Sequence, residues 1–281
     1  MKNAMQFKAV IKKIAKEKQI SAQLVLQNYM LERFLERVSI SKYRDQYIIK
    51  GGFLIASMVG LDTRATMDMD ATIKGIPVNE DTVRKMIEEI ITVPISDEIT
   101  FHLKGVGEIR EGDEYTGYRV ALSADYEKMS VPLKLDITTG DKITPREIEY
   151  SYHLMMEDRR INVLAYNLVT VLAEKLETII SRGDQNTRPR DYYDVYILTV
   201  LQNEKIDLNS LKEALEQTTR KRGSTEIVKQ YKSVIQIVRE SDAMQKQWNN
   251  YASKFDYTSG INFSDTCDAV MNIMEQLSRT N

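Results

Sequence analysis

The sequence contains one cysteine, Cys267, among 281 residues. An intrachain disulfide is thereby excluded, and a reducing compartment is expected. The two histidines, His102 and His153, lack metal-ligand spacing to Cys267 and read as structural. Proline is scarce, with five residues, and no low-complexity linker or internal repeat interrupts the chain. Excess charge is missing as well: 39 basic residues against 41 acidic ones leave a net charge of −2. A bulk polycation is excluded, so any nucleic-acid contact must come from a local patch. No segment approaches the roughly 18 apolar residues of a membrane span. The opening stretch, MKNAMQFKAVIKKIAKEKQIS, has lysines spread through it and reads as an amphipathic helix rather than a secretion signal. Gly-x-Ser-x-Gly, a Walker A loop and the dinucleotide-binding glycine fingerprint do not occur. With 42% hydrophobic residues the composition is that of a soluble globular protein, and a cytoplasmic location without a membrane partner is expected.

What is present centres on KGGFLIASMVGLDTRATMDMDATIKG. Gly51-Gly52 follows Lys50, and a glycine pair lets the backbone come close to a phosphate. Fifteen residues separate Gly52 from Asp68-Met69-Asp70. Two aspartates one residue apart on a strand share a face, because side chains alternate with period 2. Their carboxylates then stand where Mg²⁺ is held beside substrate phosphates. The same pair also fits a solvated edge strand. Aspartate disfavours strands, however, so two in one strand ask for a reason. Phosphate, metal and paired acids together suggest phosphoryl-type transfer from a nucleotide.

The organisation along the chain is that of an α+β protein. Residues 1–46 read as helices, with Ser21 as an N-cap. Tyr47-Ile48-Ile49 reads as a strand, 53–59 as a helix starting at the glycines, 67–74 as a strand and 79–91 as a capped helix. Three strands are expected at 100–108, 115–124 and 131–139, with Gly112-Asp113 turning between the first two. That order fits a mixed sheet rather than a long parallel βαβ series. After about Asn162 the patterns are helical: 165–180, 190–202, 207–218, 225–239 and 263–278. A boundary is expected near 155–165, dividing the chain into 1–160, an α/β core with N-terminal helices, and 161–281, a helical bundle.

Further charged residues stand out. Asp136, in PLKLDIT, lies on the polar side of its strand; it is either solvated or brought beside Asp68 and Asp70 as a third carboxylate, and one such acid can take the proton of an attacking hydroxyl. Lys175 neighbours the core-like Leu172, Leu176 and Ile179, and reads either as surface decoration or as a rim lysine reaching a triphosphate. In Arg188-Pro189-Arg190-Asp191-Tyr192-Tyr193-Asp194, Pro189 fits a first helical turn, and Asp191 and Asp194 share a helix face near Arg188. This block is either a helix N-terminus with acids against the dipole or a cluster beside a nucleotide. The run Arg220-Lys221-Arg222-Gly223 is a solvated loop or a contact to RNA phosphate.

Three segments in order, KGGFLIASMVGLDTRATMDMD, PLKLDITTGDKIT and AEKLETIISRGDQNTRPRDYYDVYIL, resemble the AbiEii/AbiGii toxin family of nucleotidyltransferases, in the DNA polymerase β-like superfamily. The likeness covers about residues 47–200. It implies a nucleotidyltransferase core followed by a helical domain that completes the active site. It implies that Gly51 and Gly52 open the helix facing the triphosphate, with Lys50, Arg64, Thr66 and Arg188 also on the nucleotide. It implies that Asp68, Asp70 and Asp136 bind Mg²⁺ or Mn²⁺, and that Lys175 and Asp191 join them as catalytic residues. The wider superfamily usually has Gly-Ser where this chain has Gly51-Gly52, so a serine contact to phosphate is missing. The resemblance further implies a toxin of a toxin–antitoxin or phage-defence system. Such a toxin transfers a nucleoside monophosphate from an NTP to RNA, with tRNA as the favoured acceptor, and is opposed by a separate antitoxin with a winged-helix part. Two other readings stay open: transfer to a protein or small molecule, and a nucleotide-binding module without turnover.

Overall fold

The computed structural model of the protein describes residues 4–109 and 117–280, and the turn expected at Gly112-Asp113 lies outside them. The described chain forms two compact units, one of Met1–Asp141 with Ile148–Ala165, the other of Lys142–Glu147 with Tyr166–Asn281.

The first unit opens with helix α1, Ala4–Glu17, and helix α2, Ala22–Ile40. Ser21 caps α2, its hydroxyl accepting from the Leu24 N–H at 3.1 Å. This satisfies one of the donors that a helix start leaves over. Strand β1, Tyr47–Lys50, leads straight into helix α3, Gly51–Val59. Strand β2, Asp68–Ile73, precedes helix α4, Glu80–Ile91, which begins in a reciprocal Asn79/Thr82 capping box. Strands β3, Thr100–Ile109, β4, Gly117–Tyr126, and β5, Met129–Thr139, follow. Two strands that the sequence reading did not anticipate, β6, Ile148–His153, and β7, Arg160–Ala165, complete the sheet.

The sheet has seven strands in the order β3-β4-β5-β2-β1-β7-β6. It is mixed: β2 pairs in parallel with β5 and β1 with β7, while β1–β2, β3–β4, β4–β5 and β6–β7 are antiparallel. The period-2 alternation divides it into two chemically different faces. Tyr47, Ile49, Met69, Ala71, Leu133, Leu135 and Ile137 are all buried. Phe34 of α2 meets the Tyr47 ring edge-on at 6.1 Å, so α2 covers this apolar face. The opposite face carries Lys50, Asp68, Asp70, Lys134 and Asp136 in register.

Helices make up most of the second unit: α5, Leu168–Arg182; α6, Pro189–Leu201; α7, Leu208–Lys221; α8, Thr225–Lys229; α9, Tyr231–Glu240; α10, Asp242–Ala252; and α11, Phe263–Arg279. The single helix expected at 225–239 is broken at Gln230, and α10 was not expected. Trp248, Tyr192, Tyr193, Phe263 and Cys267 are buried here. Among the described residues no helix is long and apolar enough to cross a membrane.

Candidate active site

The Gly-Gly pair stands where β1 turns into α3. Lys50, the N-cap residue, is extended and makes no capping bond with its side chain. Gly51 has φ +64, and a Cβ there would lie 2.1 Å from Asp70 Oδ2. Both the backbone angle and the space therefore require glycine. The Asp70 carboxylate is seated against the backbone at the helix start, where N–H groups and the dipole favour negative charge. A Cβ on Gly52 would stand 3.1 Å from both Arg64 Nη2 and Thr66 Oγ1. Arg64 and Thr66 thus converge on the second glycine, in the space a serine would have used. Two polar residues of α2 hold their loop: Asn28 Nδ2 donates to the Thr66 carbonyl at 2.6 Å, and Gln27 Nε2 to the Met67 carbonyl at 2.8 Å. Both are buried. Sequence reading passed over them, although two polar residues inside the apolar run LVLQNYML were a signal.

The acids are ordered by strand register. Lys50 is opposite Asp70, Asp70 opposite Asp136, and Asp136 opposite Arg119, so four charged residues form one rung across β1, β2, β5 and β4. Asp68 lies two residues along the same face, opposite Lys134. Arg119 grips Asp136 with two bonds, Nε to Oδ1 at 2.8 Å and Nη2 to Oδ2 at 2.7 Å. At the other end of the rung, Lys50 Nζ lies 2.5 Å from Asp141 Oδ2, which also accepts from Thr138 Oγ1 at 2.8 Å. Arg119 and Asp141 were missed by sequence reading, because only the β4–β5 pairing and the end of β5 bring them to the rung. Among the described residues no group of three or more His, Cys, Asp or Glu is arranged to hold a metal ion. Asp68, Asp70 and Asp136 share a face without their oxygens being gathered to one point.

In the second unit α5 and α6 form a buried ion cluster. Lys175 Nζ lies 2.5 Å from Asp191 Oδ1 and 2.8 Å from Asp194 Oδ2, and both aspartate side chains are fully buried. Arg188 Nε adds a contact to Asp191 Oδ2 at 2.9 Å. Pro189 occupies the first turn of α6, so Asp191 and Asp194 descend one face of it. The reading of Lys175 as surface decoration is corrected here: it is 8% exposed and pairs with two acids. Asp191 and Asp194 likewise do more than complement a helix dipole. Of the basic run, Arg222 is tied to α5, its Nη1 2.5 Å from Glu177 Oε2. The histidines stand apart from all this, His102 Nε2 3.3 Å from Asp125 and His153 Nε2 3.8 Å from Asp158.

Comparison with known proteins adds the family. A search of curated proteins gave no significant match. Among solved structures, a Helicobacter pylori protein provisionally described as a nucleotidyltransferase superposes with a TM-score of 0.53 at 15% identity, over 92% of this chain and 98% of that one. JHP933 from Helicobacter pylori gives a TM-score of 0.47 at 15% identity, over 92% of this chain and 95% of its own. At this identity the first likeness is one of fold. The family model described as "Nucleotidyl transferase AbiEii toxin, Type IV TA system" matches residues 33–271, which include the glycine pair, the acid rung and the α5–α6 cluster. The chain belongs to the AbiEii family of nucleotidyl transferase toxins of type IV toxin–antitoxin systems.

Proposed function

We propose that this protein is a divalent-metal-dependent nucleotidyltransferase toxin that moves a nucleoside monophosphate from an NTP onto RNA, with tRNA as the acceptor. The observation that supports this most is the rung itself: Asp70 and Asp136 are register neighbours, and Asp70 sits against the glycine that opens α3. An all-oxygen set of Asp68, Asp70 and Asp136 suits Mg²⁺ or Mn²⁺ in kind, and the missing Cβ of Gly51 gives Asp70 its seat. A bound cation would steady the attacking and leaving oxygens at the α-phosphorus. The chain's own groups do the rest. The N–H groups at the start of α3, with Arg64 and Thr66, receive phosphate oxygens. The acceptor hydroxyl attacks the α-phosphorus, its proton passes to one of the three carboxylates, and the bond to the β-phosphate oxygen breaks to release pyrophosphate. Lys175 and Asp191 carry the later motifs of the family. Within the second unit Asp191 and Asp194 hold the Lys175 ammonium in place. Arg188, on Asp191, belongs to the same cluster. The partner of the toxin is a separate antitoxin protein with a winged-helix part, and its setting is the cytoplasm and phage defence.

The test is incubation with Mg²⁺, total RNA and each NTP labelled at either the α- or the γ-phosphate. RNA should gain α-label and no γ-label, with pyrophosphate released in equal amount, and EDTA should stop the reaction. Label on protein or on a small molecule would move the acceptor class. Label from the γ-position would replace the reading with a phosphotransferase.

A further inference from the structure

Asp70 and Asp136 are adjacent like charges, and each is drawn toward a different end of the rung. Asp70 Oδ2 is at Gly51, on the β1 side, while both oxygens of Asp136 are on the Arg119 guanidinium, on the β4 side. Separation of this kind relieves repulsion between neighbouring carboxylates. The Arg119 side chain is half exposed, and across β3 its register partner is Gly107. Among the described residues, a Cβ at Gly107, or at Gly105 beside it, would meet nothing within 4 Å. Arg119 thus reaches Asp136 from the strand next to β5, across the β4–β5 pairing.

We propose that Arg119 is a latch on Asp136: it holds the oxygens that Asp136 would offer to a divalent cation, and it must release them for the cation to bind. The inference rests on the metal-binding reading given above. A bidentate guanidinium matches a carboxylate in geometry and charge, so it competes with a cation for the same oxygens. The consequence is a cation affinity lower than the acids would have unopposed, set by a residue outside the three motifs.

Mn²⁺ titration of the full chain, read by electron paramagnetic resonance and by calorimetry, tests this without turnover. R119Q removes the latch at an exposed position, with circular dichroism as the check on folding. K134Q removes one positive charge from the same face without touching Asp136, and D70N removes the site. R119Q should bind Mn²⁺ roughly fivefold more tightly than the wild type, the factor expected of one well-formed, partly exposed ion pair. K134Q should change affinity less than twofold, roughly what a screened surface charge gives. D70N should abolish binding in either background. Equal or weaker binding by R119Q, or the same gain in K134Q, overturns the latch while leaving the metal reading in place. Absence of binding in both the wild type and R119Q, or binding untouched by D70N, overturns the metal reading and the latch with it.

Discussion

Gly51 answers to two constraints at once, a left-handed φ of +64 and a carboxylate oxygen 2.1 Å from where its Cβ would be. Gly51→Ala should therefore destabilise the protein by about 1–3 kcal/mol, from the left-handed angle and the displaced Asp70 together. It should also lose most turnover, and urea denaturation and turnover on one preparation measure both. Asp70→Asn separates chemistry from folding, since it keeps side-chain volume and removes a charge that repels Asp136. Its fold should be intact and its turnover abolished, because losing a ligand of the proposed metal would cost several kcal/mol at the transition state. A well-folded, fully active Asp70→Asn protein would remove Asp70 from the mechanism.

At the scale of elements, charge inside helices does structural work. On α5, a lysine decorating the surface would tolerate alanine well. Its burial between Asp191 and Asp194 changes that expectation. Lys175→Ala leaves two buried acids short of their cation, and the denaturation free energy should fall by about 3–5 kcal/mol. Unchanged stability would show that the ammonium does not stabilise the two acids. On α2, Glu32 is fully buried, pairs with Arg33 at 2.8 Å and accepts from the Met155 N–H at 2.6 Å. Burial pushes its carboxyl up from 4.5 to about 7, against the pull of Arg33 and the Met155 N–H. The folded state thus prefers protonated Glu32. That contribution is complete below about 4.5 and is lost as pH rises through about 7. Between pH 4 and pH 8 the wild type should lose roughly 3 kcal/mol of stability relative to Glu32→Gln. Denaturant midpoints of the two proteins across that range give the difference, and parallel curves would refute it.

For the whole molecule, the near-balance of 39 basic and 41 acidic residues bears on how the RNA acceptor proposed above would be held. Each phosphate neutralised releases counterions, so affinity falls with salt in proportion to the number of contacts. With no net positive field, and with Arg222 already committed to Glu177, few such contacts are expected. The logarithm of acceptor affinity should fall with the logarithm of salt with a slope of about −3 or shallower. A slope near −8 would reveal an extended basic groove.

Local chemistry was enough to determine much of this protein. Ser21 as a cap, the helix opening at the glycines, the alternation of Met69 and Ala71 with Asp68 and Asp70, and helix α5 all depend on neighbours a few residues apart. The ordered motifs likewise carried the family, which the match over residues 33–271 bears out. Strands β6 and β7 were not legible, because IEYSYH and RINVLA acquire their strand character from pairing with each other and with β1. Only tertiary structure decided that Asp136 faces Asp70, since that depends on the parallel register of β2 with β5, and that Arg119 closes the rung from β4. The burial of Lys175 was decided in the same way. A helical lysine beside a glutamate has the same local signature whether it faces water or, as here, two aspartates that a second helix brings against it.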